Sequence, residues 1–247
     1  MLSLRMGSTI SRRTWLGCSL GASVLRGQAR KLKLVVAGAH PDDPESGCGG
    51  TMARFADAGS EVVALYLTRG EAGIPGKTAA EAASIRTREA EAACRILGAR
   101  PLFAAQVDGA TEVNADRSAE YRKLLLAESP DVVLTHWPID THRDHRAASM
   151  LAYDAWLAGG RKFDLYYFEV MTGEQTQVFA PGTYVDITQT EKKKRAACFA
   201  HPSQNPLEFY EYHRLMNEFR GVEARVRYAE AFVRHPMSPG DALTGRF

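Results

Sequence analysis

Short apolar runs alternate along this chain with longer stretches of helical period. "KLKLVVAGA" (31–39), "EVVALYLT" (61–68), "RPLFAAQVD" (100–108), "DVVLTHWP" (131–138), "FDLYYFEV" (163–170) and the shorter "TYVDIT" (183–188) read as strands. Between them the spacing predicts a helix from about Gly49 to Ala58, closed by Gly59. The clearest helix covers residues 78–97, with Thr78 as cap, Glu81 three residues on and Gly98 as terminator. Further helices are predicted over 118–129, from about His145 to Ala158, and in "EKKKRAACFAHP" and "PLEFYEYHRLMNEFRG". The loop "RGEAGIPGK" holds three glycines and a proline, which marks it as irregular and surface-placed. Strands alternating with helices predict an α/β fold, a Rossmann-like open and mainly parallel sheet with helices on both faces. No internal repeat is present, and "KKKR" (192–195) reads as the solvated face of a helix.

The chain has 247 residues, 45% apolar and 24% charged, which suits one large globular domain. Charge is unevenly spread. Residues 1–29 carry Arg5, Arg12, Arg13 and Arg26 and no acid, leaving 27 basic against 29 acidic residues beyond them. A mildly acidic body without a basic stripe argues against nucleic acid as a partner. Beyond the first thirty residues no apolar run approaches the ~18 residues that span a bilayer, so no integral membrane span is expected.

The leader has a basic start, the pair Arg12–Arg13, and a short apolar stretch from Trp15 to Leu25. It resembles a twin-arginine export signal, with residues 30–247 forming the single domain behind it. That predicts a periplasmic or extracellular protein. A basic extension on a cytoplasmic protein is the other reading. Cys18 follows Trp15-Leu16-Gly17, where lipid-attachment sites usually want leucine in place of the tryptophan, so lipidation is disfavoured. Cys48, Cys94 and Cys198 remain, an odd and widely spaced set that builds neither a disulfide framework nor a paired-thiol metal site.

The chemistry concentrates in two places. "AGAHPDDPESGCGG" follows the first strand and "PIDTHRDH" follows the fourth. In open parallel sheets ligands bind beyond the carboxyl ends of strands, where the winding direction reverses. With strand order 3-2-1-4-5 the first and fourth strands are neighbours, and the two clusters meet. His40 and Asp43 can supply an imidazole and a carboxylate to a metal. His142 and His145, three apart, lie near one face of a helical turn, so one can bind metal while the other faces substrate. Asp42, beside a ligand yet free, suits a general base for water, whose pKa a bound metal lowers from about 15.7 to about 7. Asp144 is placed to hydrogen-bond a histidine and set its tautomer. Taken alone, paired aspartates after a strand are usually a turn or helix cap, and a lone H-x-x-H is often a surface pair. Only convergence at adjacent strand ends makes them a site. His136 at a strand end reads as structural, and His213 and His235 as surface or packing residues.

"AHPDDPESGCGGT" with "PIDTHRDH" resembles the LmbE/PIG-L-like zinc-dependent de-N-acetylases, and the likeness extends through "LTRGEAG", "RTREAEAACRILGA" and "AHPSQ", over residues 33–205. The resemblance implies an LmbE-like fold and one Zn2+ per chain, with Fe2+ or another divalent ion possible, held by His40, Asp43 and His145. It implies Asp42 as general base, His142 as electrophile or general acid oriented by Asp144, and Arg69 in the substrate pocket. It further implies removal of acetyl from a small molecule or glycan bearing N-acetylglucosamine, yielding acetate and a free amine. Two departures stand out. Arg143 replaces a common proline, and Pro44 intervenes before Glu45 where relatives often have glutamate directly after the paired aspartates.

Two rivals remain. Two histidines and a carboxylate also suit a non-haem Fe(II) enzyme, against which the extra base Asp42 speaks. A non-catalytic sugar-binding module would have no need of Asp42, and no G-x-G-x-x-G follows the first strand to support dinucleotide binding. The aromatic runs "LYYFEV" and "FYEYH" suit a core or an interface equally, and leave the oligomeric state open.

Overall fold

The strands form one sheet, built around strands whose side chains are buried on both faces. They are β1 (Lys33–Gly38), β2 (Glu61–Thr68), β3 (Arg100–Gln106), β4 (Val132–His136), β5 (Asp164–Phe168), β6 (Thr183–Asp186) and β7 (Ala229–Arg234). Successive residues point to opposite faces. Leu34, Val36, Val62, Ala64 and Leu134 enter one core, while Val35, Ala37, Val63, Leu65 and Val133 enter the other. Helices α1 (Asp43–Asp57), α2 (Ala79–Leu97) and α5 (Glu191–Cys198) cover the first core, and α3 (Ala115–Ala127) and α4 (Arg143–Ala158) the second. A short 3-10 turn (Pro202–Gln204) leads into α6 (Pro206–Ala224). This computed structural model describes residues 31–244. The leader expected over residues 1–29, including Arg12, Arg13 and Cys18, lies outside them. Among the described residues no helix is long and apolar enough to cross a membrane.

The sheet order is β3-β2-β1-β4-β5-β7-β6. The first five strands are parallel, and β7 runs antiparallel to both β5 and β6. The expected 3-2-1-4-5 arrangement is therefore present, with Ala37 of β1 in register with Thr135 of β4. The sequence pattern did not predict β7. Its "AEAFVR" places a glutamate where a buried strand wants an apolar residue, and Glu230 is only 2% exposed. Its partner is Lys194, 1% exposed, whose Nζ lies 2.7 Å from Glu230 Oε1. Lys192, Lys193 and Arg195 are exposed as expected of a solvated face, but Lys194 is not.

The helix expected from Gly49 begins instead at Asp43, directly after the paired-aspartate motif. Pro44 takes a first-turn position, where its missing N–H costs nothing, and Asp43 and Glu45 sit at the positive end of the helix. Three glycines hide the start from a periodicity reading, and packing explains them. A Cβ on Gly50 would lie 2.6 Å from Ile187 and one on Gly47 2.5 Å from Phe168. An alanine normally stabilises a helix interior by roughly 0.5–1 kcal/mol over glycine. At Gly50 the sign reverses: Gly50→Ala is expected to destabilise the protein by ~1–3 kcal/mol through overpacking. A thermal melt reads this as a lowered Tm, and an unchanged or raised Tm counts against the packing argument.

Candidate metal centre

Both chemical clusters sit at the carboxyl ends of the neighbouring strands β1 and β4, the switch point of the sheet. After β1 the backbone turns sharply. Asp42 adopts φ 116°, a conformation that side chains rarely take. This turn aims Asp43 back at the chain before it, and Asp43 Oδ2 accepts from the amides of Ala39 (3.1 Å) and His40 (2.7 Å). After β4, α4 starts at Arg143 with His142 as its cap, placing His142 and His145 on the first turn.

The Asp43 carboxylate reaches both expected histidine ligands. Its Oδ2 lies 3.2 Å from His40 Nδ1 and its Oδ1 3.4 Å from His145 Nε2. The imidazoles of His40, His142 and His145 also present ring nitrogens within 4.8 Å of one another. The far nitrogens are anchored. His145 Nδ1 lies 3.2 Å from Asp140 Oδ1, and His40 Nε2 lies 3.2 Å from both Asp108 Oδ1 and Asp144 Oδ2. His40 and His145 thus each have a carboxylate beside the outer nitrogen, the kind of neighbour that orients a metal-binding histidine.

Asp144 differs in detail from expectation. Its carboxylate serves His40 rather than His142, and Thr111 Oγ1 (2.6 Å) and the Gly109 amide (2.7 Å) donate to it. Its backbone N–H instead donates to His142 Nδ1 at 3.2 Å. That bond makes Nδ1 an acceptor and leaves the His142 proton on Nε2. His136 is closer to the centre than a purely structural residue. Its Nε2 lies 3.2 Å from Asp43 Oδ2 and its ring stacks on His145 at 4.1 Å. Burial, aided by the neighbouring His145, pushes His136 down to about 4.

The electrostatics suit a cation. Burial alone would lower His145, but Asp43 and Asp140 outweigh it and hold it near 9. His40 is likewise raised, with Asp108, Asp144 and Asp43 overcoming its burial. Asp43 is driven well below the usual carboxylate range, because His145 and His136 outweigh the burial that would raise it. The donor types are those zinc and similar divalent ions take, and the ligand atoms of Asp43, His136 and His145, like those of His40, His142 and His145, lie within 4.8 Å of one another. Asp42 faces the other way: burial lifts it to about 6, although Arg86 opposes the rise.

A cavity of about 490 Å³ opens over this cluster, with Asp42, His142, Met171 and Phe209 among its walls. Its size falls in the ~300–1,000 Å³ range of small-molecule sites. Arg69 does not line it. The Arg69 side chain is exposed and lies 5.4 Å from the Phe103 ring centroid, while Arg86 of α2 lines the wall. His213, read from sequence as a surface or packing residue, is buried at 2% exposure and also borders the cavity. Asp140, Asp108 and Arg86 were not singled out by sequence reading. Asp140 lies within "PIDTHRDH" and Arg86 opens "RTREAEAACRILGA", so the motifs contain both without giving their roles, while Asp108 has no local signal; the importance of each lies in partners that folding brings to it.

The profile of the GlcNAc-PI de-N-acetylase (PIG-L) family matches residues 35–156, which span both clusters. The chain is 31% identical over 210 residues to a diacetylchitobiose deacetylase of Thermococcus kodakarensis, covering 77% of this chain and 78% of that protein. The crystal structure of an N,N'-diacetylchitobiose deacetylase from Pyrococcus horikoshii superposes with a TM-score of 0.74 at 26% identity, covering 85% of this chain and 88% of that one. GalB, a 4-carboxy-2-hydroxymuconate hydratase from Pseudomonas putida, does so with a TM-score of 0.74 at 28% identity, covering 86% and 99%. Shared sequence across both clusters, a shared sheet and a His/Asp cluster at its switch point lead to one assignment: this chain belongs to the PIG-L (LmbE-like) family and is a deacetylase of that family.

Proposed function

We propose that the protein is a zinc-dependent hydrolase that removes acetyl from an N-acetylglucosamine-type amide, with His40, Asp43 and His145 holding the ion. The observation that carries this reading is the convergence of those donors with Asp42 in one cavity. A divalent cation bound there would supply Lewis acidity toward an acetamide carbonyl and bring the pKa of a water down toward about 7. Asp42 accepts that water's proton on its carboxylate as the water attacks. His142, whose proton lies on Nε2, donates to the carbonyl oxygen as negative charge grows there. Asp42 then returns the proton to the departing nitrogen, leaving acetate and an amine. Asp108 and Asp144 keep His40 in the tautomer that frees Nδ1, and Asp140 does the same for Nε2 of His145.

Export through a twin-arginine signal over residues 1–29 would direct the activity to an extracytoplasmic glycan or glycoconjugate.

The test is acetate release from N-acetylglucosamine and its β-1,4 oligomers by zinc-loaded protein, by chelated protein and by protein refilled with zinc or Fe(II). Activity lost on chelation and restored by zinc is expected. Stoichiometric zinc without acetate from any compound would sink the substrate assignment, and no bound metal at all would sink the centre. Asp140→Asn should weaken zinc affinity by about 10–100-fold in a competition titration, because the carboxylate orienting His145 is gone. Unchanged affinity would show that Asp140 does not serve the ion.

A further inference from the structure

We propose that Arg86 is a positioning residue that fixes Asp42 in its strained turn, and that the loop "RGEAG" carries glycines so that the Arg86 guanidinium can pass through it. The inference rests on Asp42 being the base proposed above, but its geometry stands independently. Arg86 reaches from the middle of α2, 3% exposed, and its Nη2 meets two points of the turn at once. One is Asp42 Oδ2 at 3.1 Å and the other is the carbonyl of Pro41. From the opposite side Glu45 Oε2 accepts the Asp42 amide at 3.2 Å. Glu45 is itself fully buried and held by the Tyr66 hydroxyl at 2.5 Å. Asp42 is thus gripped at its amide, at the carbonyl before it and at its carboxylate. A backbone at φ 116° persists only where its surroundings over-determine it.

The glycines are the second observation. A Cβ on Gly70 or Gly73 would collide with the Arg86 guanidinium. Gly70, at φ 70°, is also required by its backbone. Gly73 has no such backbone reason, so its lack of a side chain is explained by Arg86. The loop is kept at that distance by Gln204, whose Nε2 donates to the Gly73 carbonyl at 3.2 Å. The arginine acts through Asp42, with its Nη2 engaged by the Asp42 carboxylate and the Pro41 carbonyl.

Two variants of the full-length zinc-loaded protein separate the possibilities. Arg86→Ala removes the guanidinium, and Gly73→Ala keeps its charge but pushes it off its seat. Both are expected to lower kcat for acetate release by about 100-fold, the scale of a misplaced base, with KM and zinc content unchanged. Millimolar guanidinium chloride should restore Arg86→Ala and not Gly73→Ala. Hydrogen exchange across residues 40–46 gives a readout without turnover. The Ser46 amide, bonded to the Asp42 carbonyl at 2.8 Å, should exchange faster in both variants and be re-protected by guanidinium in the first. A raised KM with kcat intact would make Arg86 a substrate contact and overturn the proposal, as would unchanged exchange at the turn. If the parent releases no acetate the deacetylase reading fails, while the exchange data still decide whether Arg86 holds the turn.

Discussion

Asp42→Asn is expected to keep its zinc and lose acetate release by about 10²–10⁴-fold, the range a positioned general base contributes. The substitution is nearly isosteric, and of the contacts that hold the turn only the Arg86 ion pair uses the Asp42 charge, while the Glu45–amide and Arg86–carbonyl contacts remain. What disappears is an oxygen able to take a proton. Asp42 suits that task because burial places it near 6, between an ordinary carboxylate and neutrality, so it is ionised at pH 7 and still basic enough to accept. Asp43, one residue on, is driven well below the usual range by His145 and His136. Adjacent aspartates are therefore divided between binding a cation and moving a proton. Acetate assays run beside metal analysis decide it: full activity in the zinc-loaded variant removes Asp42 from the mechanism, and loss of zinc assigns it to the metal instead.

Glu230→Ala is expected to destabilise the fold by ~3–5 kcal/mol, the cost of stranding a buried charge. Lys194 would stay enclosed, with the Asn217 Oδ1 at 3.1 Å left to accept from it among the described residues. The amides of Gly50 and Thr51 on α1, which donate to the Glu230 carboxylate at 2.9 and 2.7 Å, would lose their acceptor as well. The double variant Lys194→Met/Glu230→Gln removes both charges and keeps an oxygen for the α1 amides, and is expected to recover much of the loss, because a buried ion pair replaced by uncharged side chains of similar size is often close to neutral. Chemical denaturation of the three proteins measures this. A mild effect of Glu230→Ala alone would show that Lys194 reaches solvent without its partner.

The resemblance read from "AHPDDPESGCGGT" and "PIDTHRDH" matches the family found by comparison, while the motif "RTREAEAACRILGA" gains a physical reason only in three dimensions. Arg86 and Glu89 lie one helical turn apart on α2. The first grips the turn at Asp42, and the second accepts from the amide and hydroxyl of Ser203 at 2.9 and 2.6 Å, anchoring "AHPSQ". His201 in that motif is fully buried, with Nε2 3.4 Å from Glu45 Oε1. Three motifs far apart in the chain thus brace one strained turn.

What the sequence determined by itself is whatever neighbouring residues decide. Double-faced apolar runs can be buried only as interior strands, which dictates the parallel sheet and, with it, a switch point between β1 and β4. His40, Asp42, Asp43, His142 and His145 are legible because each cluster is contiguous and follows a strand. Tertiary structure alone decided the partners. Lys194 looks solvated among its neighbours, yet it is neutralised by a glutamate 36 residues away. Asp144 sits beside His142, yet its carboxylate turns to His40, 104 residues distant. A charge is stable inside a protein only against an opposite charge or a hydrogen bond that meets it there, and chain folding brings those groups together from positions that no local period connects.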